Sequence, residues 1–366
     1  MSSSVNIENV LVLQGGGSLG AYECGVYKTL DRHGIKFDVV AGTSIGAVNA
    51  AVIVGTKNNN PVQDLEDFWI TVAENVTPSF IPDNLRPSLS VLHGSIYGNR
   101  NVFKPKWVFP YQAMYYNLTS PYLYDVLPLK NILSGYIDFI KLNNINGKSP
   151  VPRLIITATD VQDSESVTFD SMNRNIDIEH IISCVGYPFY GISWIQKDGR
   201  YLWDGSLQSN TPLREVIDAS PKNDKDVYIV NLFPRKHHDL PANMFETWHR
   251  ARDIIHTDKT SHNVRMSGVI SRYIRLLEDM HDIITNSSDE NAKSKFRESI
   301  ENEYRKLVQQ RGAIIRKIVR IERSEDTHFL FEDADFSLST IRHLIKQGEQ
   351  DAEDALKNHS VSSNIH

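Results

Sequence analysis

Two glycine-punctuated units of strand, sharp turn and helix stand within the first 55 residues, and they constrain the fold more than any other feature of the sequence. The first is VLVLQGGGSLGAYECGVYKTL, from Val10 to Leu30. Val10 to Leu13 is an unbroken apolar run, the pattern of a strand buried on both faces of a parallel sheet. Tyr22, Val26, Tyr27 and Leu30 then share one face of a helix over Tyr22 to His33, and Gly34 follows as a C-cap residue. In the second unit, FDVVAG reads as another buried strand and Ile45 to Val54 as an apolar helix. Alternating β and α units imply an α/β fold, with a mostly parallel sheet covered on both faces.

Further along, DLEDFWITVA reads as a helix opened by Asp64. Residues 77 to 125, rich in proline, asparagine and aromatics, read as a long loop. Its aromatics (Phe80, Tyr97, Phe103, Trp107, Phe109, Tyr111, Tyr115 and Tyr116) either line an apolar pocket or pack on one another at the surface. RLIITATDV is a buried strand, DSESVTFDS a hairpin, Ile176 to Cys184 a helix and VYIVNLFP a further strand. After about residue 240 the character changes. Residues 245 to 310 read as long polar helices with charges of both signs. RGAIIRKIVRIER fits a basic amphipathic helix or an edge strand, and FSLSTIRHLIKQGEQDAEDAL a helix begun by a serine. A chain of 366 residues has room for two domains, expected here as residues 1–240 and a mainly helical accessory region, 241–366.

Several function classes fall away. A net charge of −6 gives no global footprint for nucleic acid. The only cysteines, Cys24 and Cys184, form no C-x-x-C pair, and no metal-binding spacing occurs, so neither a disulfide framework nor a metal site is expected. MSSSVNIENV lacks the basic n-region of a signal peptide, and the longest apolar run near the front, IGAVNAAVIVG, is about half a membrane span. The expectation is a soluble, cytoplasmic protein. Gly15, Gly17 and Gly20 do spell the dinucleotide fingerprint G-x-G-x-x-G. That reading needs an acidic residue at the end of the next strand to bind the ribose. The strand instead ends in Gly42, Thr43 and Ser44, while Asp38 stands at its start, so no cofactor is expected.

Gly42-Thr43-Ser44-Ile45-Gly46 is a G-x-S-x-G pentapeptide between a strand and a helix, the context of a nucleophile elbow. Gly42 and Gly46 let strand and helix approach, and the helix N-terminus favours negative charge beside Ser44. A serine nucleophile needs a base. His237, His238, His249, His256 and His262 all lie in polar or charged stretches and read as solvated surface residues. Asp204, in YLWDGSLQSNTPL, is the better candidate, although an Asp-Gly pair is equally an ordinary hairpin turn and 160 residues separate it from Ser44.

QGGGSLGAYECGVYKTL, VVAGTSIGAVNAAV, IISCVGYPFYGI and YLWDGSLQSNTPL together, in that order, resemble the patatin-like phospholipase family over roughly residues 8 to 235. The resemblance implies a three-layer sandwich around the sheet and a Ser–Asp dyad in place of a triad. In it Ser44 is the nucleophile, Asp204 the base, and Gly15, Gly16 and Gly17 the oxyanion hole. It further implies hydrolysis of carboxylic esters of lipids through an acyl-enzyme, with a transient contact to a lipid surface. Two positions depart from the family pattern: Leu19 stands where a basic residue is usual, and Ser206 makes D-G-S of the usual D-G-G. The QGGGSLGAY form and the C-terminal DADFSLSTIRHLIKQGEQDA are similar to a microbial subgroup with an extra C-terminal domain. That leaves a hydroxyacyl polyester as an alternative substrate. A non-catalytic scaffold or membrane-associated regulator is the alternative of another class, with Arg311, Arg316, Lys317, Arg320 and Arg323 as its basic cluster. A homo-oligomer is compatible with the sequence, which does not fix the oligomeric state.

Overall fold

A computed structural model describes residues 7–73, 85–144, 151–221, 223–236, 240–257, 313–324 and 331–363, with isolated positions between them. Its centre is an eight-stranded sheet in the order β10-β9-β1-β2-β5-β8-β7, with β6 paired to β5. These strands are β1 (Ile7–Leu13), β2 (Val39–Thr43), β5 (Arg153–Asp160), β6 (Ser166–Asp170), β7 (Ile195–Lys197), β8 (Arg200–Asp204), β9 (Asp224–Asn231) and β10 (Ile315–Glu322). Two short strands, β3 (Lys104–Pro105) and β4 (Tyr124–Asp125), form a separate antiparallel pair. β10, β9, β1, β2 and β5 run parallel, whereas β6, β7 and β8 join by antiparallel pairing.

The pleat sorts the apolar strand residues onto two faces. Leu11, Leu13 and Val40 enter a large core beneath α1 (Gly20–Arg32), α2 (Ile45–Val54) and α3 (Pro61–Val72). Val10, Val12, Val39 and Ala41 enter a smaller core beneath the helix Leu213–Asp218. Helices on both faces of a mostly parallel sheet make the three-layer α/β sandwich. Every residue of α2 is buried, which accounts for its apolar composition all round.

α1 and α2 match the expected helices, and Gly34 takes a left-handed φ of +72° just past α1. α3 is capped differently from expectation. Asn60 accepts from the Gln63 amide at 3.2 Å, whereas Asp64 is buried one turn in, accepting from Thr56 Oγ1 at 2.6 Å and Asn58 Nδ2 at 2.6 Å. Asp64 therefore ties down the loop before the helix. The described part of 77–125 is no single loop; it holds α4 (Arg86–Tyr97), the β3–β4 pair and the helix Ala113–Thr119.

Beyond residue 240 the chain rejoins the same core. RGAIIRKIVRIER resolves as the edge strand β10, parallel to β9. Its alternation sends Val319 and Ile321 into the larger core and Ile315 and Ile318 against the smaller one. The helix Leu338–Ser363 lies on α1, where Tyr22 donates to Asp351 Oδ2 at 3.0 Å and Lys28 pairs with Glu349 at 3.1 Å. Of the basic cluster, Arg323 is buried, donating to the Leu232 carbonyl at 2.8 Å and to Glu332 at 2.7 Å; Arg311 lies outside the described residues. Most of 245–310 also lies outside them, apart from the helix Met244–His256. No helix among the described residues is long and apolar enough to cross a membrane.

Candidate active site

Sheet register brings the two sequence candidates together. Thr43, the last residue of β2, pairs with Thr157 on β5, and Asp204, the last of β8, pairs with the adjoining Ala158. β2 and β8 thus meet end to end along one edge of β5, whose other edge carries β6, and this brings Ser44 beside Asp204. Ser44 Oγ donates to Asp204 Oδ2 at 2.5 Å.

Each partner is held by its backbone. Ser44 sits at φ +55°, ψ −125°, a conformation that a non-glycine residue adopts at a cost of about 1–3 kcal/mol and only where its surroundings fix it. Part of that constraint is contact between strand and helix: a Cβ on Gly42 would come within 2.1 Å of the Gly46 carbonyl oxygen. Asp204 is 1% exposed. Its Oδ1 accepts from the Ser206 amide at 2.8 Å, and its own carbonyl accepts from Thr159 Oγ1 at 2.9 Å. Burial pushes the carboxyl up to about 6, against the hydrogen bonds from Ser44 and Ser206 that lower it.

The glycine turn borders the same point, for a Cβ on Gly15 would stand 2.9 Å from Ser44 Cβ. The Gly15 amide donates to the Asn210 carbonyl at 3.2 Å, and Asn210 Nδ2 returns a bond to the Gly15 carbonyl at 3.2 Å. The Gly15 amide is thus engaged within the protein. Gln14 anchors the turn from below. Its Nε2 donates to Thr211 Oγ1 (2.9 Å) and the His256 carbonyl (3.1 Å), and its Oε1 accepts from the Leu232 (2.7 Å) and Phe233 (3.2 Å) amides. Leu19 is buried in the core.

Ser44, Asp204 and the glycine turn open into a pocket of about 560 Å³. Ile45, Leu92, Phe103, Val126, Leu129 and Phe336 give it apolar walls. Of the aromatics singled out in 77–125, Phe103 lines this pocket and Trp107 is buried against Tyr124; Tyr97, Phe109, Tyr111 and Tyr115 are exposed. Phe80 lies outside the described residues.

The histidine expectation fails at two positions. His249 and His256 are buried, not solvated, and His256 lines the pocket. The charged helix Met244–His256 turns this face inward, and His256 packs on Tyr187 and Phe233. Tyr187 Oη lies 2.8 Å from His256 Nε2, and burial lowers the imidazole to about 4, so it is neutral at neutral pH. His237, His238 and His262 lie outside the described residues. Gln14 and Asn210 carried a weak signal in the sequence, as lone amides at the end of a buried strand and beside a proline turn. Asp333, which also lines the pocket, carried none.

The family model for patatin-like phospholipase matches residues 11–217, more than half of the chain. The chain belongs to this family. Among curated relatives, the mouse patatin-like phospholipase domain-containing protein 6 is 31% identical over 114 residues, covering 30% of this chain and 8% of that protein. The Arabidopsis thaliana triacylglycerol lipase SDP1L is 50% identical over 60 residues, covering 16% of this chain and 7% of the lipase. The chain thus spans less than a tenth of the length of these relatives. Among solved structures, VipD from Legionella pneumophila superposes with a TM-score of 0.40 at 12% identity, covering 97% of this chain and 67% of VipD.

Proposed function

We propose that the protein is a serine acyl-hydrolase acting on carboxylic esters of lipids, with Ser44 as nucleophile and Asp204 as its base. The observation that carries the proposal is the 2.5 Å hydrogen bond from Ser44 Oγ to Asp204 Oδ2 at the floor of an apolar pocket. A carboxylate with its pKa raised to about 6 is still ionised at neutral pH and basic enough to accept a proton there.

The reaction follows from the placement. Asp204 takes the Ser44 hydroxyl proton as Oγ attacks the ester carbonyl. Negative charge develops on the carbonyl oxygen beside the Gly16 and Gly17 amides and the N-terminus of α2, and one such donor is typically worth about 3 kcal/mol in the transition state. As the tetrahedral adduct collapses, Asp204 returns the proton to the leaving alcohol and the acyl group stays on Ser44. Water then attacks the acyl carbonyl, giving its proton to Asp204, and the acid departs as Ser44 regains its hydrogen. His256 takes no part: its Nε2 is engaged with Tyr187, and Ser44 already has a partner. Transient contact with a lipid surface fits the exposed Val108, Phe109, Tyr111, Met114 and Leu118.

Labelling with a fluorophosphonate probe, which requires an activated serine, tests the proposal. Wild-type protein is expected to label, and Ser44→Ala and Asp204→Asn to lose the label. Undiminished labelling of Ser44→Ala would overturn the assignment.

A further inference from the structure

The wall beside the glycine turn comes from residues 331–336, more than a hundred positions beyond Asp204, and Asp333 is among the residues that line the pocket there. The Asp333 carbonyl packs onto Gly17, whose φ is +57°; a Cβ there would come within 2.1 Å of that oxygen. Ser18 Oγ donates to the Glu332 carbonyl at 2.9 Å, which fastens the same segment to the turn. The Asp333 side chain is fixed as well. It accepts from Arg252 Nη1 at 2.6 Å and from Tyr190 Oη at 2.8 Å. Asp333 therefore stands next to the amides that would face a developing oxyanion.

The cation paired with Asp333, Arg252, is shared with Asp253 and Glu332 and does not itself line the pocket, so it is not presented to an incoming anion. No lysine or arginine is among the described residues lining the pocket; Asp204 is a second carboxyl group, and His256 is neutral. Lys259, whose charge reaches His256, does not line it. Arg252 is turned toward Asp333, Asp253 and Glu332.

We infer that Asp333 is a specificity-determining residue that adapts the site to esters uncharged on the alcohol side, such as neutral glycerides, and against esters with a phosphate there. The inference rests on the acyl-hydrolase reading above and narrows its substrate class. In a glycerophospholipid the phosphate lies within a few bonds of the scissile ester, because both are carried on one glycerol. Docking the ester on Ser44 would bring the phosphate toward Asp333 and remove its water with no cation to replace it. Like charges brought together in this way discriminate against the wrong ligand without any added contact to the right one.

The test compares monooleoylglycerol with oleoyl lysophosphatidic acid, which share acyl chain and ester and differ in the phosphate, by oleate released from mixed micelles. Wild-type protein should favour the neutral lipid in kcat/KM by about 30-fold or more, and Asp333→Asn should shrink that ratio by about tenfold. The wild-type ratio should also narrow as ionic strength rises from about 20 to about 500 mM, because salt screens the repulsion. Equal rates on the two lipids, or a ratio indifferent both to salt and to Asp333→Asn, would overturn the inference while leaving the hydrolase reading intact. Cleavage of neither lipid by protein that also resists fluorophosphonate overturns both.

Discussion

The floor of the pocket and its outer wall are held in different ways. At the floor, the ends of β1, β2 and β8 are buried, and every position is set by register or by a saturated hydrogen-bond network such as that of Gln14. On the outer wall, α4 presents Leu92, which is 55% exposed, and the neighbouring Leu89, which is 38% exposed. No sheet register fixes these residues. Ser44 and Asp204 thus rest on backbone that cannot shift without disturbing the sheet, while the apolar wall rests on side chains whose exchange leaves the sheet alone. Substitutions at the floor should act on turnover, and substitutions on the wall on which chain is preferred.

The sharpest way to break that contrast is at Asp204. Asp204→Asn keeps the shape and a carbonyl acceptor for the Ser206 amide but loses the base, so turnover of a p-nitrophenyl ester should fall by about 10⁴-fold. The same change should raise the melting temperature at pH 8. The folded-state pKa of about 6 lies above the ordinary carboxylate value of 3.8, so ionising Asp204 costs stability as pH rises from about 4 through about 6, and asparagine removes that cost. A variant that is less stable at pH 8 would mean that the carboxylate holds the floor together.

A smaller effect is expected from pH alone. With Asp204 as base, kcat/KM of the wild type should rise with a midpoint near 6 and fall about tenfold per unit below it, as protonation removes the acceptor. An activity flat from pH 5 to pH 8 would put the base elsewhere. The smallest effect belongs to the wall. Leu92→Ala should lower the preference for a long acyl ester over a short one by a few-fold, since a half-exposed leucine buries little extra area, with kcat on the short ester held within about twofold. If the short ester slows as much as the long one, wall and floor are not separable.

The sequence made the floor legible because its signals are local. Strand, turn and helix around Ser44 fall within sixteen residues, and the glycine turn repeats the arrangement. Asp204 was visible as a turn residue, but its meeting with Ser44 depends on β2 and β8 meeting end to end along one edge of β5, which no local pattern states. β10 stayed ambiguous because IRKIVRIE places its apolar residues at spacings that serve both a helix face and a half-buried edge strand. His256 and Asp333 were not legible at all. A histidine among charges reads as surface until the helix that carries it is turned against Tyr187, and nothing near Asp333 marks the segment that will lie on Gly17.

The placement of β9 and β10 bears on how the chain comes to be folded as it is made. The stretch shared with the family ends at residue 217, yet β9 pairs directly with β1, and β10 covers the far side of β9. Until residue 231 has emerged from the ribosome, β1 has a bare edge, and until residue 322 so does β9. Unpaired strand edges on a nascent chain invite pairing with other chains. A fragment trimmed to the shared stretch would carry Ser44 and Asp204 yet keep the exposed edge of β1 permanently, so recognisable ancestry and autonomous folding do not share a boundary in this protein.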